Sequence, residues 1–436
     1  MIRSHLWHRA FLERHPSLSL GLFRLAVAFT VGAHMIPSFF HMEDNYLSTA
    51  FKTKNFSFFP IPLLRMVEAS PDWFVYTMTI CFCVTLTTFA IGLCSQLSCI
   101  LLTLACYYFY ALNNFHIGTL SFDILLVTLV LLCMTGYHGD FLSVDSLIRG
   151  DVRSYRRRRP YFIQRLLQLQ VVLTFWQTSL NKISGGGNWL SGNPYYDLMC
   201  YPPMGVVRNF PFRSWLAHHP AACHAFGMAL IPFELTLPLL LLFPPTRVIG
   251  VVLGILFMLL LWITLHVPTI FLFLFPPLIL LFVSPEVLVR WIETRQGRSA
   301  ARGRSVLLYD GHCGFCLASV RRLRVLDLFG WVDPLDFHIQ SDLTAIHPLL
   351  TPERCRSEMV LLAPNGDLLG GFDAFRRISW YAPLLWPLLP WLYLPGARWI
   401  GRKAYRWIAT HRYLFHRNPV CATNQCALPK SGNGAS

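Results

Sequence analysis

The chain has 436 residues, of which 54% are hydrophobic and 14% charged, and its mean hydropathy is +0.46. Soluble globular proteins carry about a quarter charged residues, so this composition excludes an ordinary soluble protein and indicates an integral membrane protein. The formal net charge is +15. The arginines cluster beside apolar runs, as cytoplasmic anchors do, so this charge does not indicate nucleic-acid binding.

Eight apolar runs follow one another through the first two thirds of the chain. Most approach or exceed the ~18 residues that a membrane span needs. The runs are Leu18–Phe40, Trp73–Leu93, Leu97–Leu112, Phe122–Tyr137, Leu166–Leu180, Cys223–Phe243, Val248–His266 and Ile270–Val283. We predict a polytopic α-helical bundle of about eight spans at residues 1–289, an Arg/Gly/Ser-rich linker at residues 290–304, and a water-facing domain at residues 305–436.

The loop Arg149–Arg165 contains seven arginines and is the strongest orientation signal. Positive loops stay in the cytoplasm, and eight spans then place both termini on that side. The segments around His116 and Lys182 fall on the outer side. We therefore predict an integral protein of the bacterial inner (plasma) membrane, surrounded by lipid, with cytoplasmic termini.

Several ionisable residues lie within or beside the apolar runs. Such residues are costly in lipid and are candidates for function. They are Arg24, His34, Asp123, Lys182, Glu234 and His266. The alternative is that they form interhelical pairs that only stabilise the bundle, for example Arg24 with Glu234.

The segment Trp176–Gly192, Trp-Gln-Thr-Ser-Leu-Asn-Lys-Ile-Ser-Gly-Gly-Gly-Asn-Trp-Leu-Ser-Gly, resembles the signature of the HTTM domain, the membrane domain of vitamin K-dependent gamma-carboxylase and its relatives. The resemblance implies that Lys182 acts as a base on a hydroquinone and that His116 stabilises an anion. A quinone or hydroquinone is then the expected cofactor. The chain lacks the carboxylase's large outer domain, so binding of another lipophilic substrate stays open.

The most specific chemical pattern is the pair Cys313 and Cys316. The apolar run Val306–Tyr309 predicts a buried strand, Asp310 begins a turn, and a helix is predicted from Gly314 to Leu328. A cysteine at a helix N-terminus is favoured as the thiolate, the nucleophile of disulfide exchange. Cys313 is therefore the predicted nucleophile and Cys316 the resolving cysteine. His312, when protonated, could favour the thiolate, and Asp310 could shuttle a proton; for both, turn formation is the alternative.

The remaining C-terminal pattern predicts a small α/β thioredoxin-like domain. A weak strand at Trp331–Phe337 precedes a hairpin whose Asn365-Gly366 predicts a type I′ turn. The run Tyr309-Asp-Gly-His-Cys-Gly-Phe-Cys316, the hairpin and the segment Lys403–Ala409 are similar to the DCC family of thiol-disulfide oxidoreductase-like proteins. The proline that precedes this hairpin in thioredoxins is replaced by Ser357-Glu358.

A second cysteine pair, Cys421 and Cys426, follows near the C-terminus. It could pass a disulfide to Cys313–Cys316, or the four thiolates together could hold zinc. Three functions follow. The first is a membrane thiol-disulfide oxidoreductase, which needs no cofactor for its dithiol and acts on a protein or small-molecule thiol or disulfide. The second is a carboxylase-like enzyme that uses Lys182. The third is a non-enzymatic zinc-binding maturation factor.

Overall fold

The structure is a computed structural model that describes residues 8–50, 67, 70–113, 119–185, 188–201, 207–266, 269–301, 303–340 and 342–411. The chain divides into two compact units. One consists of Met1–Asp145 with Tyr155–Val287, and the other of Ser146–Ser154 with Leu288–Ser436. The first is called the membrane unit here and the second the C-terminal unit.

Each of the eight predicted apolar runs contains a helix. These helices are Leu18–Phe39, Asp72–Ile91, Ser95–Leu112, Thr119–Cys133, Phe162–Ser184, Pro220–Leu242, Arg247–Thr264 and Thr269–Leu280. Within the described residues, five are long and apolar enough to cross a membrane, or six if Thr269–Leu280 and Pro285–Ala301 form one bent span. Thr119–Cys133 is apolar but short, and Phe162–Ser184 contains four glutamines and an arginine. The predicted fold class is confirmed, with an approximate span count.

Short elements connect the long helices. The helices are Met42–Asn45, Val144–Arg149, Asn193–Cys200 and Arg213–His218, with 3-10 turns at Tyr137–Gly139, Ser154–Arg156 and Trp189–Ser191 and a π-helical turn at His8–Leu12. Arg14–Pro16 and Arg158–Pro160 form a two-stranded antiparallel sheet. Arg159, from the positive loop, donates to Asp140 at 2.7 Å. Part of the loop's positive charge is therefore neutralised within the protein.

Helix Arg247–Thr264 illustrates how the membrane unit divides lipid-facing from packed residues. Val248 and Ile249 are 73% and 56% exposed, a state that is unfavourable in water and natural against lipid. On the opposite face, a Cβ added at Gly250 would lie 2.9 Å from the Leu240 backbone, and one at Gly254 would lie 3.1 Å from Ile279. Small residues allow close helix packing, as in other membrane bundles.

Arg24 is fully buried, and its partners differ from those proposed from the sequence. Its guanidinium donates to the carbonyl oxygens of His138 at 2.8 Å and Leu142 at 2.5 Å. The proposed pairing of Arg24 with Glu234 is therefore wrong. The two carbonyls satisfy the two terminal nitrogens of the guanidinium, while its buried Nε has no hydrogen-bond partner.

A four-stranded mixed sheet is the centre of the C-terminal unit. Its order is Val332–Asp336, Ser305–Tyr309, Val360–Leu362 and Leu368–Gly370; the first pair is parallel and the others antiparallel. Parallel strands need a long crossover, which helix Gly314–Leu326 provides. Leu307 and Leu308 point to opposite faces of the sheet and enter two separate hydrophobic clusters, so both faces are covered.

The hairpin is present, but its turn differs from the predicted type I′. That type requires positive φ at both central residues, whereas Gly366 has φ +87° and Asn365 is not among the positive-φ residues. Gly366 N–H donates to Ala363 O at 2.9 Å. Pro364 holds a negative φ at the first turn position, so the turn forms one residue earlier and Gly366 takes the left-handed position after it.

Among its described residues, the C-terminal unit has four further helices, and Pro285–Ala301 covers most of the predicted linker. The four are Pro352–Ser357, Gly371–Ser379, Leu389–Leu392 and Ala397–Thr410, with 3-10 turns at Phe337–Ile339 and Pro383–Leu388. The proline-rich segment from Trp380 to Trp399 is thus broken into short pieces and forms no candidate span among the described residues. Trp391 and Trp399 on it are 70% and 64% exposed.

Candidate functional site

Cys313 occupies the N-cap position of helix Gly314–Leu326. Its Sγ accepts a hydrogen bond from the backbone N–H of Cys316 at 3.4 Å. The unpaired N–H groups and dipole of a helix N-terminus stabilise negative charge at this position. Cys313 and Cys316 are only 2% and 4% exposed. Burial disfavours a thiolate, so the helix terminus has to offset desolvation for Cys313 to react.

Three ionisable side chains lie beside the cysteine pair. Asp310 is buried, and its Oδ1 accepts the backbone N–H of His312 at 3.0 Å and lies 3.0 Å from His338 Nε2. The rings of His312 and His338 have their centroids 4.0 Å apart. One ligand atom from each residue lies within 4.8 Å of the others, so the three residues could hold a metal ion.

The sequence interpretation missed His338. Strands Ser305–Tyr309 and Val332–Asp336 are parallel and in register from Ser305 with Val332 to Tyr309 with Asp336. Their carboxyl ends therefore meet at one edge of the sheet, and polar residues just after both strands come together. A polar residue following the second strand of a predicted parallel pair was the signal that could have identified His338.

Asp336 connects the two loops that carry these groups. Its Oδ1 accepts the backbone N–H groups of Gly311 and His338, both at 3.1 Å. A Cβ added at Gly311 would lie 1.8 Å from Asp336 Oδ2. The close approach that this pair of hydrogen bonds requires is thus available only to glycine at position 311.

A cavity of about 480 Å³ is lined in part by helix Gly314–Leu326. Its walls are mainly apolar, and they include Cys316, Cys355, Met359, Phe372 and Tyr405. The volume lies in the range of small-molecule sites. The Ser357–Met359 segment, which occupies the place of the thioredoxin proline, lines it, and the described residues contain no cis peptide bond.

The membrane unit contains a second candidate site, around Lys182. The Lys182 ammonium forms a short ion pair with Glu234, and its Nζ lies 5.3 Å from the centre of the Trp189 ring. The side chains of Lys182 and Glu234 are 17% and 7% exposed. Helix Phe162–Ser184 carries Lys182, and hydrogen bonds from Trp176 and Ser179 to carbonyls of helix Pro220–Leu242 fix the two helices side by side.

Lys182 and Glu234 form the polar end of a cavity of about 310 Å³. Most of its other walls are apolar or aromatic, among them Phe175, Phe226, Phe257 and Phe271. An apolar cavity with one charged pair suits a lipophilic ring that carries an ionisable oxygen. The chemistry of these residues is compatible with a quinone or hydroquinone, whose binding here stays a prediction.

The other predicted site residues are separate from these two sites. Asp123 accepts a hydrogen bond from the Tyr110 hydroxyl at 2.5 Å. His266 follows helix Arg247–Thr264, is exposed, and does not line the Lys182 cavity. Arg24 binds backbone carbonyls. The predicted site residues outside the described part of the chain are His116, Cys421 and Cys426.

Comparison with known families now defines the class of protein. Apolar helices followed by an α/β unit with a strand-to-helix dithiol define an integral membrane protein with a thiol-disulfide oxidoreductase-like domain. The HTTM domain model matches residues 13–286, and the chain belongs to this family. The DCC1-like thiol-disulfide oxidoreductase model matches residues 307–418. No curated protein and no solved structure matches the chain. The two domains together support a membrane redox or carboxylase-like protein.

Proposed function

We propose that this protein is an integral membrane thiol-disulfide oxidoreductase in which Cys313 is the nucleophile and Cys316 the resolving cysteine. The observation that carries the proposal is the placement of Cys313 Sγ at the N-terminus of the active-site helix, where it accepts the Cys316 N–H. The match of residues 307–418 to the DCC1-like family supports it independently.

The proposed reaction has two exchange steps. Cys313 thiolate attacks one sulfur of a disulfide partner, the partner's S–S bond breaks, a mixed disulfide forms, and the departing thiolate takes a proton. Cys316 then attacks Cys313 Sγ, which forms the Cys313–Cys316 disulfide and releases the second thiol of the partner. The partner gains two electrons and the protein dithiol loses two. In the opposite direction the protein oxidises a dithiol.

Asp310 and His338 are the proposed proton carriers of this exchange. Asp310 is buried three residues before Cys313 and lies 3.0 Å from His338 Nε2, which reaches the protein surface. Together they form a path by which a proton moves between the buried dithiol and solvent. His312, whose ring lies tilted at 47° to that of His338, adds a second imidazole beside that path.

The proposed location is the bacterial inner membrane, with both termini in the cytoplasm. This orientation follows from the arginine-rich loop Arg149–Arg165. Cysteine-specific labelling with a membrane-impermeant reagent, applied to intact cells and to opened cells, tests it. Labelling at an introduced cysteine in Arg149–Arg165 from the outside of intact cells would contradict the proposed orientation.

A trapping experiment in native membranes tests the exchange chemistry. Cys316→Ala leaves Cys313 without its resolving partner, so mixed disulfides should accumulate and appear on non-reducing gels after acid quenching. Cys313→Ala is the matched control and should show none. A Cys316→Ala protein without adducts, or adducts that persist in Cys313→Ala, would contradict the assignment.

The Lys182 cavity supports a second candidate function, carboxylase-like chemistry on a hydroquinone. The chemistry that a bound hydroquinone would supply is its own reaction with oxygen, and the product of that reaction would be a strong base. Lys182 would have to pass its proton to Glu234 before it could accept one from a substrate, so the ion pair acts as one unit. The peptide substrate of such a reaction has no identified site among the described residues.

Hydroquinone-dependent incorporation of labelled carbon dioxide into a glutamate peptide tests this second function. Wild-type protein in lipid should incorporate label, and Lys182→Ala should not, while Lys403→Ala serves as the lysine control. Absence of incorporation by wild-type protein would eliminate carboxylation, and equal incorporation by Lys182→Ala would eliminate Lys182 as its base.

A further inference from the structure

We propose that Asp310, His312 and His338 form an open binding site for a first-row divalent metal ion of the zinc type. The proposal concerns side chains that lie beside the dithiol, and it does not use the thiolates of the cysteines. It does not depend on the exchange reaction proposed above, and a bound ion would occupy Asp310 and His338 and so exclude their use as proton carriers. It rests on the types of the three side chains, their separation and the way the sheet holds them.

The donor set is two imidazoles and one carboxylate. Zn²⁺ commonly binds three such protein ligands in sites that keep a further position open for water. Mg²⁺ and Ca²⁺ prefer oxygen ligands, so the two histidines favour a transition metal over them. Asp310 is 8% exposed at its side chain and His338 25%, so a metal ion could enter from the histidine side.

The spacing is close to that of a formed site. Bonds of about 2.0–2.1 Å place two ligand atoms of a tetrahedral zinc about 3.3 Å apart. Asp310 Oδ1 and His338 Nε2 are 3.0 Å apart, and the three ligand atoms lie within 4.8 Å of one another. Small side-chain rotations of His312 and His338 would therefore complete the geometry without movement of the strands.

The loops that carry the ligands are held in place by hydrogen bonds. Asp310 and His312 follow the strand Ser305–Tyr309, and His338 follows the parallel strand Val332–Asp336. Asp336 accepts the N–H groups of both Gly311 and His338 and thereby ties one loop to the other. Outer groups of this kind orient metal ligands, so Asp336 is the positioning residue of the proposed site.

Zinc binding to the full-length protein in detergent tests the proposal. Protein freed of metal by a chelator is titrated with Zn²⁺ against a chromophoric zinc indicator. We expect one tight zinc per chain, and His338→Ala should weaken binding at least ~10-fold, since even the loss of an outer-shell partner costs 10- to 100-fold. His347→Ala removes a histidine of the same unit outside the cluster and should leave the affinity unchanged.

X-ray absorption of the zinc-loaded wild type identifies the ligands directly and does not depend on the folding of any variant. The proposal requires a shell of nitrogen and oxygen at about 2.0 Å, without sulfur at about 2.3 Å. Sulfur in that shell, with zinc lost from Cys313→Ala and retained by His338→Ala, would assign the metal to the cysteines and overturn the proposal. Failure to bind stoichiometric zinc would overturn it as well.

Two further measurements sharpen the assignment. Asp336→Asn should weaken zinc about 10- to 100-fold while the nitrogen and oxygen shell persists, because it removes support and no ligand. A large excess of Mg²⁺ should not displace zinc. Displacement by Mg²⁺ would contradict a site dominated by imidazole.

Discussion

The two candidate sites are built in opposite ways. Around Cys313, most groups come from one run of seven residues, Asp310–Cys316, and backbone hydrogen bonds at the strand ends fix them. In the membrane unit, Lys182 and Glu234 are 52 residues apart, on two helices that meet side by side. A short motif can position reactive groups when the backbone itself supplies the contacts. Long-range helix packing is needed where two side chains must meet in an apolar surrounding.

Substitution of the proposed nucleophile should have a larger effect than any other change, and it tests whether the motif Asp310–Cys316 is responsible for thiol-disulfide exchange. Cys313→Ser should lower the rate of disulfide reduction by roughly 1000-fold or more, because a hydroxyl cannot replace the thiolate nucleophile. The measurement is the rate at which the full-length protein, supplied with excess reductant, reduces a small disulfide.

Cys355 provides the matched control for that experiment. It is 1% exposed, lines the same cavity as Cys316, and burial raises the pKa of its thiol. Cys355→Ala should keep the wild-type rate. A rate retained by Cys313→Ser, or lost in Cys355→Ala, would show that the motif is not the reactive centre.

The next effect concerns the stability that the long-range pair supplies. Lys182→Met leaves Glu234 buried without its counter-ion, and breaking a buried pair in this way costs about 3–5 kcal/mol of unfolding free energy. Replacing both partners, by Lys182→Met with Glu234→Leu, should recover most of the loss. Chemical unfolding in detergent measures both values.

Trp189→Leu should cost only about 0.5–1 kcal/mol, because it removes the ring beside the lysine and leaves the ion pair. If Lys182→Met unfolds with the wild-type free energy, the pair does not stabilise the helices. The Lys182–Glu234 pair and the Cys313 site would then differ in their chemistry but not in a contribution to stability.

Gly311→Ala tests how closely the strand-end loops must approach. The added Cβ would overlap the Asp336 carboxylate at 1.8 Å, so we expect a loss of about 1–3 kcal/mol together with slower alkylation of Cys313. Gly366→Ala, in the open hairpin turn at φ +87°, should cost about 1–2 kcal/mol through backbone strain and leave alkylation unchanged. Equal alkylation in both variants would mean that the approach of the loops does not position the dithiol.

The last comparison involves the ion pairs that join helix Gly371–Ser379 to helix Ala397–Thr410. Asp373 accepts hydrogen bonds from Arg398 at 3.0 Å and from Arg402. Partial burial alone would raise the pKa of Asp373, but the two arginines outweigh it and the pKa lies below the usual value. Because the arginines are about half exposed, Asp373→Asn should cost only about 1 kcal/mol at neutral pH.

The pH dependence of that effect has a defined sign. The folded-state pKa is lowered, so the contribution is present above the unfolded pKa and disappears as the pH falls through the folded value. Unfolding measured at pH 7 and pH 3 should therefore show the difference between wild type and Asp373→Asn shrinking in acid. Glu353→Gln, at an exposed carboxylate, is the control, and a difference that grows in acid would contradict the pairing.

Much of the fold could be predicted because its signals are local. A run of apolar residues is a helix wherever backbone groups must be satisfied in lipid, and each of the eight predicted runs contains one. The observed helix boundaries differ from the predicted ones by up to four residues. The predicted type of the turn at Asn365-Gly366 was wrong, because Pro364 favours a turn that begins at Ala363. The nucleophile assignments at Cys313 and Cys316 stay predictions that the geometry supports.

The order of the two domains, the apolar helices and the strand-turn-helix that carries Cys313 could all be predicted, because each depends on residues that are neighbours in the chain. The pairing of Glu234 with Lys182 and the binding of carbonyl oxygens by Arg24 depend on tertiary packing and became apparent only from the structure. The same is true of the hydrogen bond between His338 and Asp310. These contacts join residues between 28 and 118 positions apart. No local pattern specifies them, because helix packing and strand register bring the partners together.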